Sequence, residues 1–458
     1  MKASAIGFFS FAYPEQKMKE RIDHALNNLK LQGIEINFCG YVIDHDESSQ
    51  IKAKEKLNSS SYDSDCLILI ISSWIESPPV IRVISDQTHL PILLWSLSAY
   101  RTDAGLIAPA GAAGATGLNF ILKVFGAKHI SLYDEVDKES KFKEAAEFVR
   151  FSHALKVLKN SRVASIGYSD MNLYSLMYDG TLIKKFTGIH VDNLDLYDIY
   201  AAMEKVTKKE INNFIENFLS KVQVVNKLKN QDLETLAKSF IAVNNIIQDK
   251  NYKGITLKCV LGMSKWFNFS PCMLESLIGD EVETICECDV YGMINQLIIK
   301  ELTGTKATFL EFYEFYENSI LMGACGFAPL GVCNTKKMLV QGHDWGQAGG
   351  IMNVSELNTS DKITLTKLYT VNGQMHLHCL KGSSKIPELW QEDGWDGKGP
   401  KMPSLEIFID EDLKEFQEYI AGQHYIVCFG DFYELLKRYC KFSGIRFNEH
   451  KNIDFSYK

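Results

Sequence analysis

A chain of 458 residues, 46% apolar and 23% charged, is too long for one core and has the composition of an ordinary globular protein of two to four domains. A net charge of −8 with no Lys/Arg block argues against nucleic acid or an anionic membrane as the main partner. No apolar run reaches the length of a membrane span, and eleven cysteines without paired C-x-x-C spacing point to reduced thiols in the cytoplasm.

The first part of the chain alternates strand and helix signals. Residues 5–12 read as a strand and 15–30 as an amphipathic helix with Met18, Ile22, Ala25 and Leu29 on one stripe. Strands are expected at 33–42, 66–72 and 90–96, with a helix at 48–57. Continuous apolar strands between helices indicate a parallel sheet covered on both faces. The segment Gly111-Ala112-Ala113-Gly114-Ala115-Thr116-Gly117 opens a helix running to about Phe125. It is not a dinucleotide fingerprint, and reads either as close backbone packing or as a helix N-terminus facing a polar ligand.

After a long helix at 139–159, a second α/β pattern begins. It has strands at 162–167, 254–260 and 283–286, a charged helical stretch at 197–229, and helices at 233–249 and 290–302. Gly304 stops the last of these. Past about residue 325 the pattern alternates with period two. Residues 362–370 and 375–380 read as antiparallel strands joined at Asn372-Gly373, a strong hairpin signal. A Trp/Gly/Pro-rich loop at 390–403, a helix at 411–421, a strand at 424–430 and a closing helix at 431–440 follow. The chain therefore reads as α/β: two Rossmann-like α/β domains with parallel sheets (1–158 and 159–322) followed by a β-rich C-terminal domain (323–458).

Chemistry-bearing residues concentrate around Ile285-Cys286-Glu287-Cys288-Asp289-Val290-Tyr291-Gly292, where an apolar strand runs into a helix. Asp289 is placed to cap that helix, or to bind a metal at the carboxyl end of a parallel strand. If the strand extends that far, Glu287 shares its face, and two buried carboxylates together call for a cation or for one of them to be exposed. Glu275 lies in a helical stretch and can be a surface residue. His424 opens a buried strand, as a hydrogen-bonded core residue or a ligand. His376 and His378 share one strand face, read as a solvated hairpin face or a metal pair. His343 lies in the polar loop 341–347. Two carboxylates with a histidine are the inventory for a hard divalent cation that also moves protons.

In combination these segments resemble the L-fucose isomerase family, including its shorter branch. The resemblance is carried by Pro271-Cys272-Met273-Leu274-Glu275, Cys286-Glu287-Cys288-Asp289-Val290-Tyr291-Gly292, Ile363-Thr364-Leu365-Thr366-Lys367-Leu368 and Gly422-Gln423-His424 with Gly430-Asp431. It implies a Mn2+-dependent aldose–ketose isomerase, with Mg2+ or Co2+ as substitutes, that works through a cis-enediol. It also implies metal ligands at Glu275, Asp289 and His424 converging between the second and third domains, Glu275 and Asp289 as the acid/base pair, and a homo-oligomer, trimer or hexamer. Gln423 stands where the large relatives have Asn before the metal histidine. Candidate substrates are sulfoquinovose, L-fucose and D-arabinose. Gln423, Trp266 and Lys258 are candidate substrate contacts, and Lys265 and Arg101 could also meet an anionic tail. The alternatives are a non-catalytic sugar-binding or regulatory protein on the same fold, and an enediolate-forming epimerase or lyase.

Overall fold

Six consecutive apolar residues, Cys66–Ile71, form the central strand of a five-stranded parallel sheet, fully buried because both faces are covered. The computed structural model describes residues 1–343, 348–387 and 402–449. Part of the loop expected at 390–403, and residues 344–347 beside His343, lie outside them. The chain divides into two compact units, Met1–Val157 and Leu158–Lys458.

In the first unit the strands run in the order Glu35–Ile43, Lys2–Phe9, Cys66–Ile71, Ile92–Ser96, His129–Tyr133, all parallel. The helix Glu15–Leu31 buries Met18, Ile22, Ala25 and Leu29, as its stripe predicts, together with Leu26. The glycine-rich segment opens the helix Gly111–Val124. A Cβ on Gly111 would lie 3.1 Å from Ile71 O, and one on Gly114 3.1 Å from Ile75 N. The small residues thus serve close packing.

Among the described residues the second unit holds three sheets, a small one of Gln223–Val224, Leu339–Gly342 and Ile351–Asn353 and two larger ones. One larger sheet is parallel, in the order Glu283–Ile285, Gly254–Leu257, Arg162–Ile166, His190–Leu194. The stretch expected as one helix at 197–229 is two, Leu196–Met203 and Lys208–Lys221, each opened by its own capping box. The other larger sheet closes on itself through antiparallel pairs, with Arg446–Asn448 added in parallel beside Gln374–Lys385. The strands Ser360–Val371, His424–Phe429, Ala307–Phe315, Ile320–Gly323, Ser404–Ile409 and Gln374–Lys385 pair in that order, and the last pairs back to the first. Closure into a barrel removes the exposed edges that an open antiparallel sheet would carry. Two of these strands begin before residue 323, where the sequence pattern alone placed the start of the β-rich part. The hairpin turns at Asn372 and Gly373, φ 52° and 72°, the left-handed pair that a type I′ turn requires. Overall the fold is mixed α/β with parallel sheets and a C-terminal antiparallel barrel.

The helix Val290–Thr303 joins the two larger sheets. Ten of its residues, Val290 to Ile299, are buried, so it is apolar nearly all round. It packs on the parallel strands on one side and on the barrel strands Ser360–Val371 and His424–Phe429 on the other. Its N-terminus therefore lies where the carboxyl edge of the parallel sheet meets the barrel.

Candidate functional site

The strand Glu283–Ile285 stops short of the carboxylates. Glu287 and Cys288 both take left-handed backbone, φ 62° and 57°, a conformation costing roughly 1–2 kcal/mol per non-glycine residue. Cys288 N–H holds the turn by donating to Leu257 O at 3.1 Å, and its thiol lies 3.5 Å from Ile166 O. The extended reading that put Glu287 and Asp289 on one strand face is therefore corrected. The turn sends the two carboxylates separately toward one imidazole. Strained non-glycine backbone of this kind concentrates at functional sites.

Asp289 caps the helix, with Oδ1 accepting from Gly292 N–H at 2.8 Å. Its other oxygen, Oδ2, lies 3.0 Å from His424 Nδ1 and 3.4 Å from Lys367 Nζ. Because the carboxylate can only accept, the Nδ1 position carries the proton. His424 Nε2 then faces Glu287 Oε2 at 3.4 Å and Glu311 Oε1 at 3.9 Å. It is buried and has no hydrogen-bond partner among the described residues. One ligand atom each from Glu287, Glu311 and His424 lie within 4.8 Å of one another. Glu311 sits directly opposite His424 in the barrel register. Its side chain is 27% exposed, against 0% for His424, so the group opens to solvent on the Glu311 side.

Burial and neighbouring charge compete at Asp289, His424 and Glu311. At Asp289 burial favours the neutral acid, but Lys367, His424 and the Gly292 N–H outweigh it and hold the carboxyl far below its usual range. At His424 burial opposes the imidazolium, yet Asp289 and Glu287 raise it to about 9. Glu311 is pushed up to about 7 by burial, against the pull of His424.

Glu275 lies on the helix Cys272–Glu281 and is buried, not a surface residue. Its Oε2 accepts from the Cys286 thiol at 2.9 Å, and its Oε1 has no partner among the described residues. Burial pushes its carboxyl up to about 8. The structure thus brings Asp289 and His424 into direct contact, while Glu275 stands outside the group formed by Glu287, Glu311 and His424.

The other expected residues scatter. Gln423 accepts a hydrogen bond from Ser175 beside the histidine. Lys258 is half-buried and lies against Gly167 and Gly262. Trp266 is 75% exposed. Arg101, in the first unit, pairs with Asp137. His376 and His378 are buried, contrary to a solvated hairpin face. The His376 ring lies 5.1 Å from that of Tyr369, and His378 bonds Tyr425 at 2.8 Å. Sequence reasoning passed over Glu311 and the charge of Lys367. Each reaches the site through barrel pairing, which no local pattern reports.

No protein-family model matches the chain. Among curated proteins, the chain is similar to sulfoquinovose isomerases. It is 19% identical over 231 residues to that of Alkalicoccus urumqiensis, covering 50% of this chain and 52% of the relative. It is 19% identical over 249 residues to that of Priestia aryabhattai (53% and 55%), and over 253 residues to that of Clostridium sp. (strain MSTE9) (54% and 56%). The chain spans about half the length of the curated relatives it matches. Among solved structures, the periplasmic binding protein component of the arabinose ABC transporter from Shewanella sp. ANA-3 aligns at 12% identity over 66% of this chain and 87% of that one. The TM-score is 0.16, too low to carry an argument.

Proposed function

We propose that the protein is an aldose–ketose isomerase of the L-fucose isomerase-like group, acting through a cis-enediolate with a divalent cation at His424. One observation carries this reading. A buried imidazole has one nitrogen fixed by a carboxylate and the other without a hydrogen bond among the described residues, facing two more carboxylates. That donor set fits Mn2+, Mg2+ or Co2+, with Glu287, Glu311 and His424 Nε2 as the groups to hold it. A bound cation supplies Lewis acidity, polarising the sugar carbonyl and offsetting charge on the enediolate oxygens.

The chain's own groups do the rest. In the reaction the C2 proton leaves to a base, and the C1 carbonyl becomes an enediolate. A proton then returns to C1, and the O2 proton passes to O1, leaving a hydroxyl at C1 and a ketone at C2. Glu275 suits this traffic, because a carboxyl held near 8 exchanges protons at neutral pH and its Oε1 has no hydrogen bond among the described residues. Asp289 is fully engaged by Gly292, His424 and Lys367. It orients the His424 ring, as outer carboxylates do for metal-binding histidines. The ligand and acid/base roles that the resemblance implied for Asp289 therefore pass to Glu287, Glu311 and Glu275. Gln423, beside His424, is a candidate sugar contact; Lys258 and Trp266, which follow the strand Gly254–Leu257, are two more. The relatives' name puts sulfoquinovose first among substrates, followed by L-fucose and D-arabinose. The proposed assembly is a cytoplasmic homo-oligomer, trimer or hexamer.

The test is ketose formation from these three aldoses by the purified chain, with Mn2+ and after chelation. Ketose from at least one sugar, abolished by chelation and restored by Mn2+, is expected. Thermal shifts with sugar but no ketose would make it a binding protein, and deuterium exchange at C2 without ketose an epimerase or lyase.

A further inference from the structure

A lysine in a protein core requires a partner, and Lys367 is 1% exposed on the barrel strand Ser360–Val371. Its partner is Asp289, with Nζ 3.4 Å from Oδ2. The same oxygen accepts from His424 Nδ1 at 3.0 Å, and the other is fixed by Gly292 N–H at 2.8 Å. The backbone ahead of His424 leaves room for the lysine. Gly422 has φ 138°, and a Cβ there would lie 3.3 Å from Lys367 Cε and 3.8 Å from Nζ. Three elements thus converge on one carboxylate: a helix start, a barrel strand carrying the ammonium, and a second barrel strand carrying the imidazole.

We propose that Lys367 is a positioning residue for the cation site, acting through Asp289 to fix the His424 ring so that Nε2 is presented to Glu287 and Glu311. Without the ammonium, Asp289 Oδ2 is a bare carboxylate oxygen beside a cation site that already holds two carboxylates. It would then be free to leave His424 Nδ1 and compete for the ion. With it, Oδ2 is neutralised in place and the ring stays oriented. The lysine touches no reacting atom in this scheme. Its effect is transmitted by a pair of contacts on a single oxygen.

The inference rests on the cation site proposed above, and its test separates the two. Mn2+ affinity by calorimetry, kcat and KM, and the 15N spectrum of His424 in the metal-free protein are compared for the full chain and its K367M, K367R, D289N and K367M/D289N variants. K367M is expected to weaken Mn2+ binding and lower kcat by roughly 10–100-fold with KM little changed, the usual effect of losing an outer-shell partner. K367R should recover most of it. The double variant should be no worse than D289N, because the lysine acts through that carboxylate. In the spectrum, the hydrogen-bonded Nδ1–H of His424 should be present in the wild type and K367R and lost in K367M. Equal Mn2+ affinity in folded K367M, or additive losses in the double variant, would overturn the proposal. If K367M does not fold, the cycle is completed with K367Q. If the wild-type protein binds no Mn2+, the cation reading falls, and the Nδ1–H signal alone decides whether Lys367 holds the ring.

Discussion

Glu275 and Asp289 look alike in sequence, two acids near the ends of helices, and the structure gives them opposite electrostatics. Asp289 is surrounded by an ammonium, an imidazole and a backbone N–H and stays ionised. Glu275 has a thiol and apolar packing, and its carboxyl rises to about 8. The proposed mechanism uses that divergence in the way paired carboxylates divide roles in other acid/base sites. Glu275→Gln is therefore expected to cut turnover by roughly 10²–10⁴-fold, the usual worth of a general acid/base, while Mn2+ affinity by calorimetry stays within a few-fold. A collapse of affinity instead would make Glu275 a ligand, as the resemblance implies. Asp289→Asn tests the other half. Asparagine still caps a helix well, but the substitution leaves the Lys367 charge unopposed in the core. Breaking a buried pair this way costs roughly 3–5 kcal/mol, to be read from the urea midpoint of the metal-free protein.

At the level of elements, the site depends on register. His424 is the first residue of its strand, and antiparallel pairing sets Glu311 directly across from it. A one-residue slip would bring Leu310 or Phe312 opposite and send the carboxylate to the other barrel face. Glu311→Gln keeps the shape and removes the charge. It should weaken Mn2+ binding at least tenfold while the Tm of the metal-free protein rises or stays level, because the wild-type carboxyl is partly desolvated at an energetic cost. Unchanged affinity would remove Glu311 from the ligand set. The same dependence on register explains what could be read in advance. The Asp289 cap, the buried strand after His424 and the Asn372-Gly373 hairpin follow from local spacing, which is visible along the chain. Glu287 was misplaced because period-two reasoning assumes an extended backbone, and two left-handed residues interrupt it. Glu311 and Lys367 were silent because their partners, His424 and Asp289, lie 113 and 78 positions away and meet them only once the barrel closes.

For the molecule as a whole, two buried groups and one half-buried group carry more protons folded than unfolded. Glu275 rises from 4.5 to about 8, Glu311 from 4.5 to about 7 and His424 from 6.5 to about 9. A folded state that binds more protons than the unfolded chain loses stability as pH rises through that window. Each group's contribution is therefore present below its ordinary value and is spent by its folded value. Asp289 runs the other way: its contribution is present above the ordinary carboxylate range and lost only in strong acid. The metal-free protein should thus be more stable at about pH 6 than at about pH 8.5, with the steepest loss near neutrality, where all three windows overlap. A divalent cation bound as proposed would reverse the trend, because it needs His424 Nε2 free of its proton and Glu311 ionised, so its affinity would climb with pH. Thermal melts should therefore show a small Mn2+-induced rise in Tm at about pH 6 and a much larger one at about pH 8.5. With His424→Gln the Mn2+-induced rise should vanish at both values. An equal Mn2+ shift at the two pH values in the wild-type chain would mean that the ion binds without displacing these protons, and so at groups other than His424 and Glu311.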